Sequence, residues 1–142
     1  MDTLTLSKTL EIIDLVFKEA SVRKAAPLTV AVLDKGGALI SLQRQDGASL
    51  FRPDIAIGKA WGALALGCSS RKIADDAQLR PSFVSSVSAL AQGKIIPAAG
   101  GVLIYNHNND IMGAIGITGD SSNVDEALAI YALTQADLMV EQ

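Results

Sequence analysis

The segment Pro97–Glu126, PAAGGVLIYNHNNDIMGAIGITGDSSNVDE, decides how the rest of the chain is read. Val102–Tyr105 is apolar and rich in strand-favouring residues. Asn106-His107-Asn108-Asn109-Asp110 gathers residues that tolerate left-handed backbone, so the chain reverses there. Ile111–Thr118 then alternates, which puts Met112, Ala114, Gly116 and Thr118 on one side and Ile111, Gly113, Ile115 and Ile117 on the other. Gly119-Asp120-Ser121-Ser122 ends the strand and caps a final helix. The glycine turns flank one hairpin, so Gly100, Gly101 and Gly119 are candidates to show backbone N–H groups to an anion at one end of a sheet, a plain turn being the commoner role of glycines at strand ends.

Working outward, Thr5 is an N-cap, and Leu6, Leu10, Ile13, Phe17 and Ala20 follow at helical spacing, predicting a helix from Leu6 to Val22. Pro27 stops it. Leu28–Leu33 is a strand on composition, Asp34-Lys35-Gly36-Gly37 a tight turn, and Ala38–Arg44 its hairpin partner. A second helix is expected to begin near Asp54, after Pro53, and to run through Leu66 on small residues that let another backbone approach. Two short helices follow, Arg71–Leu79 and Ser82–Gln92, and then a short edge strand at Ile95-Ile96-Pro97. The last helix starts at Ser122 with Asp125 as an approximate capping box. Its middle, Ala127–Leu133, is apolar nearly all round, so a second subunit is expected to cover one face. The internal alternative is one deep core shared with the second helix. This order predicts an α+β fold, an antiparallel sheet with helices on its faces.

The 142 residues suit a single domain, 1–142, with 49% hydrophobic and 19% charged residues. No uncharged apolar run reaches the roughly 18–20 residues of a membrane span. The opening MDTLTLSKTLE has no basic segment followed by an apolar one, so no signal peptide is expected. A single cysteine, Cys68, allows no intrachain disulfide and fits a reducing, cytoplasmic setting. All 12 basic residues and 9 of the acidic ones lie in residues 1–94, for a charge of +3, while residues 95–142 carry −6. Either the two ends of the chain meet face to face, within or between subunits, or the charge is simply solvated. No basic cluster interleaved with aromatics points to nucleic acid.

Several motifs now fall in order: Leu4-Thr5-Leu6, V-x-D-x-G-G at Val32–Gly37, D-I-A-x-G-K-A at Asp54–Ala60, G-A-I-G-I-T-G at Gly113–Gly119, and the pair Asp125-Glu126. Together they resemble the GlcG/HbpS-like family, which includes the C-terminal domain of PduO-type corrinoid adenosyltransferases. The likeness spans nearly the whole chain, although Leu103 stands where the family's G-G-V-P-I has proline. It implies a profilin-like sandwich around a five-stranded antiparallel sheet, assembled into homo-oligomers, with an octamer one expected size. It also implies a haem or tetrapyrrole ligand for some members and a place beside glycolate, diol or glycerol catabolism for others.

Candidate chemistry is sparse. His107 is the only histidine, and a solvated turn residue is the preferred reading over a haem or metal ligand. It cannot build a zinc site alone, and no Cys or carboxylate is spaced to help it. Gly119–Ser122 has the look of a serine nucleophile loop, but strand Asn109–Thr118 separates it from that imidazole by on the order of 30 Å. Asp54 and Lys59, with Arg52 and Asp46 nearby, form a candidate polar site for a carboxylate or phosphate; the plain alternative is a salt-linked helix start plus a snorkelling lysine. The leading expectation is a small-ligand-binding accessory protein whose pocket, lined by Asp46, Arg52, Asp54, Lys59, Gly100, Gly101 and Gly119, lies between the second helix and the hairpin. The alternative is a cofactor-free enzyme acting on a small hydroxy acid or diol-derived metabolite. There Lys59 and Arg52 would anchor an anion while Asp54 or Asp46 moves a proton.

Overall fold

The computed structural model describes residues 3–141. Its elements are α1 (Leu6–Val22), β1 (Thr29–Asp34), β2 (Leu39–Arg44), α2 (Arg52–Leu66), α3 (Ser70–Leu79), α4 (Pro81–Leu90), β3 (Gly101–Tyr105), β4 (Ile111–Thr118) and α5 (Ser122–Gln135). The strands pair antiparallel in the order β2-β1-β4-β3. The two hairpins meet along β1 and β4, the two most buried strands. α1 and α5 cover one face of the sheet and α2 covers the other, with α3 beyond it.

Four strands, not five, make up the sheet among the described residues. The expected edge strand at Ile95–Pro97 crosses the outside of α2 instead, with Ile95 buried over Gly62 and Ile96 over Gly58. Its isoleucines find an apolar surface there that a solvent-facing sheet edge could not offer. The free edge of β3 gains a single-residue bridge, in which Tyr105 and Met139 exchange N–H···O bonds of 3.0 Å.

The alternation of β4 also needs one correction. Tyr105 pairs with Ile111 and Ile104 with Gly113, so Met112 is a bulge. Met112 therefore packs with Ile115 and Ile117 against α1 and α5, while Ile111 joins Ala114 on the α2 side. α5 buries Leu128, Ala129, Ala132 and Leu133 and leaves Ile130 exposed. Since α2 and α5 lie on opposite faces, they do not share one core.

α2 sits unusually low on the sheet, for a reason visible in its footing. Gly101 and Gly116 are register partners beneath it. A Cβ on Gly116 would stand 2.0 Å from the Ala56 carbonyl oxygen, and one on Gly101 would stand 2.2 Å from that of Lys59. Ala56, Ala60 and Ala63 complete the contact and are fully buried. On the opposite side, a Cβ on Gly58 would meet Ile96 Cγ1 at 2.4 Å. The helix is thus gripped from both sides at backbone distance.

Two stability outcomes follow from this packing. Gly116→Ala is expected to lower the unfolding free energy by about 3 kcal/mol, because only backbone can yield. Gly36→Ala, whose Cβ would meet nothing closer than 3.4 Å, should shift it by less than about 0.5 kcal/mol. The Thr29 hydroxyl is buried and has no hydrogen-bond partner among the described residues. Thr29→Val should therefore hold or raise the urea midpoint, whereas a drop of more than about 1 kcal/mol would mean that the hydroxyl is satisfied.

Candidate functional site

α2 opens at Arg52, two residues before the expected start, with Pro53 in its first turn and no side-chain cap from Phe51. Seven residues into this helix, Lys59 is 3% exposed. Its stem runs past Gly100, where a Cβ would stand 3.1 Å from Cδ and 2.9 Å from Nζ. The ammonium emerges at the end of β4, donating to the Ile117 carbonyl at 2.9 Å and to Asp125 Oδ2 at 3.4 Å. Asp125 is itself 1% exposed, and its Oδ1 accepts the Asp120 N–H at 3.0 Å. Burial pulls the Lys59 amine below its ordinary value and pushes the Asp125 carboxyl above its own; mutual attraction opposes both shifts.

The start of α5 explains why Asp125 is available. Ser121 is the N-cap, its Oγ accepting the Val124 N–H at 3.3 Å. Asp125 lies one residue past the capping-box position, so it reaches back to Asp120, the residue before the cap, and turns its other oxygen to Lys59. Asp120 in turn ties the turn to the end of α1, accepting N–H bonds from Ala26 at 2.8 Å and Ser121 at 2.7 Å. These bonds hold its carboxyl below the usual range.

Of the residues singled out from the sequence, Lys59, Arg52, Gly100, Gly101 and Gly119 come to one end of the sheet. Arg52 donates to Thr118 Oγ1 at 2.8 Å, and its charge adds to the lowering of Lys59. The Gly101 N–H, a candidate to face an anion, donates instead to Ser70 Oγ at 2.7 Å. Gly119 has φ +147°, and a Cβ there would meet the Pro27 carbonyl at 2.2 Å. Asp46 and Asp54 stand apart. Asp46 borders an open hollow with Arg44, Gln45, Ala25 and Pro27, and Asp54 borders a groove on the outer side of α2. Where Gly101 and Gly116 meet α2 the backbones already touch, which leaves no room for a guest at that point. Asp125 reads from the sequence as a cap and as half of the Asp125-Glu126 motif, not as the partner of Lys59. A lone lysine inside an apolar helix was the signal that a buried carboxylate had to meet it.

The remaining chemistry-bearing groups lie elsewhere. His107 is exposed, with Nε2 2.9 Å from the Asp137 carbonyl oxygen. Burial, together with Glu141, pushes the Cys68 thiol up, which disfavours the reactive thiolate. Among the described residues, no group of three His, Cys, Asp or Glu side chains could hold a metal, and no helix is long and apolar enough to cross a membrane. Two ion pairs and two backbone contacts join the basic and acidic parts of the chain. Lys59 meets Asp125, Arg71 meets Glu126 at 2.8 Å, and backbone N–H groups of Ala26 and Ser69 meet Asp120 and Glu141.

Two of the surface hollows lie against α2. A cleft of about 310 Å³ lies between α3, α4 and the end of α2, walled by Ile73, Phe83, Val84, Val87 and Ile95, with Lys72, Asp76 and Arg80 at its edge. The groove beside Trp61, about 360 Å³, runs along the outside of α2.

The sequence and the fold agree on a family. The family described as haem degrading protein HbpS-like matches residues 4–134, and the chain belongs to it. The chain is 31% identical over 107 residues to an uncharacterized 15.0 kDa protein in the dhaT-dhaS intergenic region of Citrobacter freundii, covering 75% of this chain and 74% of that one. It is 27% identical over 116 residues to the corrinoid adenosyltransferase PduO of Salmonella typhimurium, covering 82% of this chain and spanning only 34% of that enzyme. The same fold is seen in the crystal structure of a PduOC:heme complex, with a TM-score of 0.88 at 22% identity and 99% of each chain covered.

Removing one half of the buried pair is expected to be costly. Lys59→Met should destabilise by about 3–5 kcal/mol because it strands a buried carboxylate, while Lys59→Met with Asp125→Asn should recover most of that loss in urea unfolding. Asp120 supplies a pH test. Its carboxyl is depressed in the folded state, so its contribution is present above 3.8 and is lost as pH falls through the lower folded value. The stability gap between the wild type and Asp120→Ala should therefore be full at neutral pH and shrink below pH 3.8.

Proposed function

We propose that this chain is a single-domain, cytoplasmic accessory protein that binds haem or a related tetrapyrrole in the α3–α4 cleft. The cleft is the observation that carries this reading. A tetrapyrrole presents a flat apolar ring and carboxylate side chains, and the cleft offers apolar walls with Lys72 and Arg80 at their margin. Arg80 lies over the Phe83 ring at 4.2 Å and pairs with Asp76, so the cation is already placed at the apolar edge. Bound there, haem would bring its Soret chromophore and iron; the chain's residues would enclose the ring edge and neutralise its carboxylates. Family membership supports this choice of ligand, as does a structural relative described as a heme complex. The same family likeness supports a place beside glycolate, diol or glycerol catabolism.

The enzyme reading has less to stand on. Its anion would need Lys59, whose ammonium is turned inward to Ile117 and Asp125, and its proton carrier would be Asp54 or Asp46, both set apart from that end of the sheet.

Assembly belongs to the same proposal. No charged residue occurs from Pro81 to Gly93, and α4 leaves Phe83 52% and Leu90 86% exposed beside the cleft. A second copy covering this helix would both bury that surface and close the cleft. Haemin titration is expected to give a saturable, shifted Soret band at stoichiometric ligand, weakened at least tenfold in Lys72→Ala/Arg80→Ala. An absent band, or unchanged affinity in that variant, overturns the site. Light scattering should show a species larger than 14.8 kDa; that mass alone would remove the homo-oligomer.

A further inference from the structure

The groove beside Trp61 is separate from the α3–α4 cleft and has a chemistry of its own. Its wall is the outward face of α2, where Asp54, Ile57, Gly58 and Trp61 follow one another, and its far side is Gly93 and Lys94. The floor is rigid. Gly58 lies so close to Ile96 that no side chain fits between them, and Gly37 supports the indole from below, where a Cβ would stand 3.2 Å from Trp61 Cδ1. Trp61 is therefore held as a fixed apolar plate.

Two opposite charges border the groove. Lys94 holds its ammonium 5.4 Å from the Trp61 ring centroid and forms no ion pair among the described residues. Asp54, in the first turn of α2, likewise has neither an ion pair nor a hydrogen bond to its carboxylate there. The groove between them, at about 360 Å³, keeps the two charges from satisfying each other. A ligand that carries both charges satisfies both at once.

From this arrangement we infer that the groove is a binding site for a small zwitterion with an apolar body, a free amino acid in chemical class. Its ammonium pairs with Asp54 and its carboxylate, on the same carbon, takes Lys94, while its apolar side chain lies along Ile57 and Trp61. The Lys94 ammonium leaves the face of the indole to make that contact, exchanging a cation–π interaction for a charge-assisted hydrogen bond. Trp61 is the only tryptophan of the chain; it also packs against the cluster of Ile73, Val84 and Ile95 that walls the cleft, so its emission is read together with calorimetry and the cleft variant.

The test uses the full chain and three probes of nearly equal shape: leucine, leucinamide, which lacks the carboxylate, and 4-methylpentanoate, which lacks the amine. Leucine is expected to produce a saturable change in Trp61 emission, matched by heat in calorimetry, and the other two to bind at least tenfold more weakly. Asp54→Asn and Lys94→Ala should each weaken leucine at least tenfold with melting temperatures unchanged. Lys72→Ala/Arg80→Ala should bind leucine as the wild type does, which separates this site from the haem cleft. No saturable signal in either emission or calorimetry, equal responses to all three probes, or wild-type affinity in both groove variants overturns the inference.

Discussion

Everything in this molecule is measured from the contact between the backbone of α2 and the paired glycines Gly101 and Gly116. Helices usually rest on a sheet through a cushion of side chains, and that cushion is missing where Gly101 and Gly116 meet α2. The Ala56 and Lys59 carbonyls lie where Cβ atoms would otherwise be. This closeness sets the small-residue spacing of α2 and brings the Lys59 stem alongside Gly100. It also delivers a positive charge to the end of β4, so the position of α5 is fixed by what that charge requires.

The requirement is severe because the ammonium is removed from water. An unpaired charge at such depth costs several kcal/mol, and the Ile117 carbonyl alone cannot offset it. Asp125 supplies the countercharge, and Asp120 and Ser121 hold the first turn of α5 in the orientation that keeps it there. The pair adds little net stability over an apolar core of the same volume. Its effect is one of register, since α5 docks against β4 in the one position where the two charges meet.

Most of the architecture could be read from periodicity and punctuation. The first helix ends where the spacing and Pro27 place it, both hairpins form, and the antiparallel α+β arrangement stands. The departures each have a physical cause. Ile111 and Met112 are both apolar, so nothing in their identity marks a bulge, and alternation put Met112 on the wrong face. Ile95 and Ile96 look like strand residues because burial on a glycine-bearing helix selects the same side chains as a sheet does. From the sequence, Gly101 reads as part of a turn and Gly116 as one position of an alternating strand. A glycine within a strand also signals close approach of another backbone, and that is what these positions provide.

The candidate site was legible in its residues and not in its depth. Lys59 stood out as a charge in an apolar helix, yet sequence spacing cannot tell a lysine that snorkels to solvent from one that turns inward. Asp125 sits 66 residues away from it, so only the fold reveals them as partners. Asp46 and Asp54 are near Lys59 along the chain, but local proximity says little about which side of a helix faces the sheet. Two long-range ion pairs, Lys59–Asp125 and Arg71–Glu126, join the basic and acidic parts of the chain.

The double grip on α2 leaves few places where variation is tolerated. Positions 101 and 116 exclude any side chain from below, and Ile96 over Gly58 does the same from above. What remains open is a narrow crest carrying Asp54, Ile57, Trp61 and Ala65. Descendants of this scaffold can diversify along that crest and the facing loop while the underlying frame stays frozen.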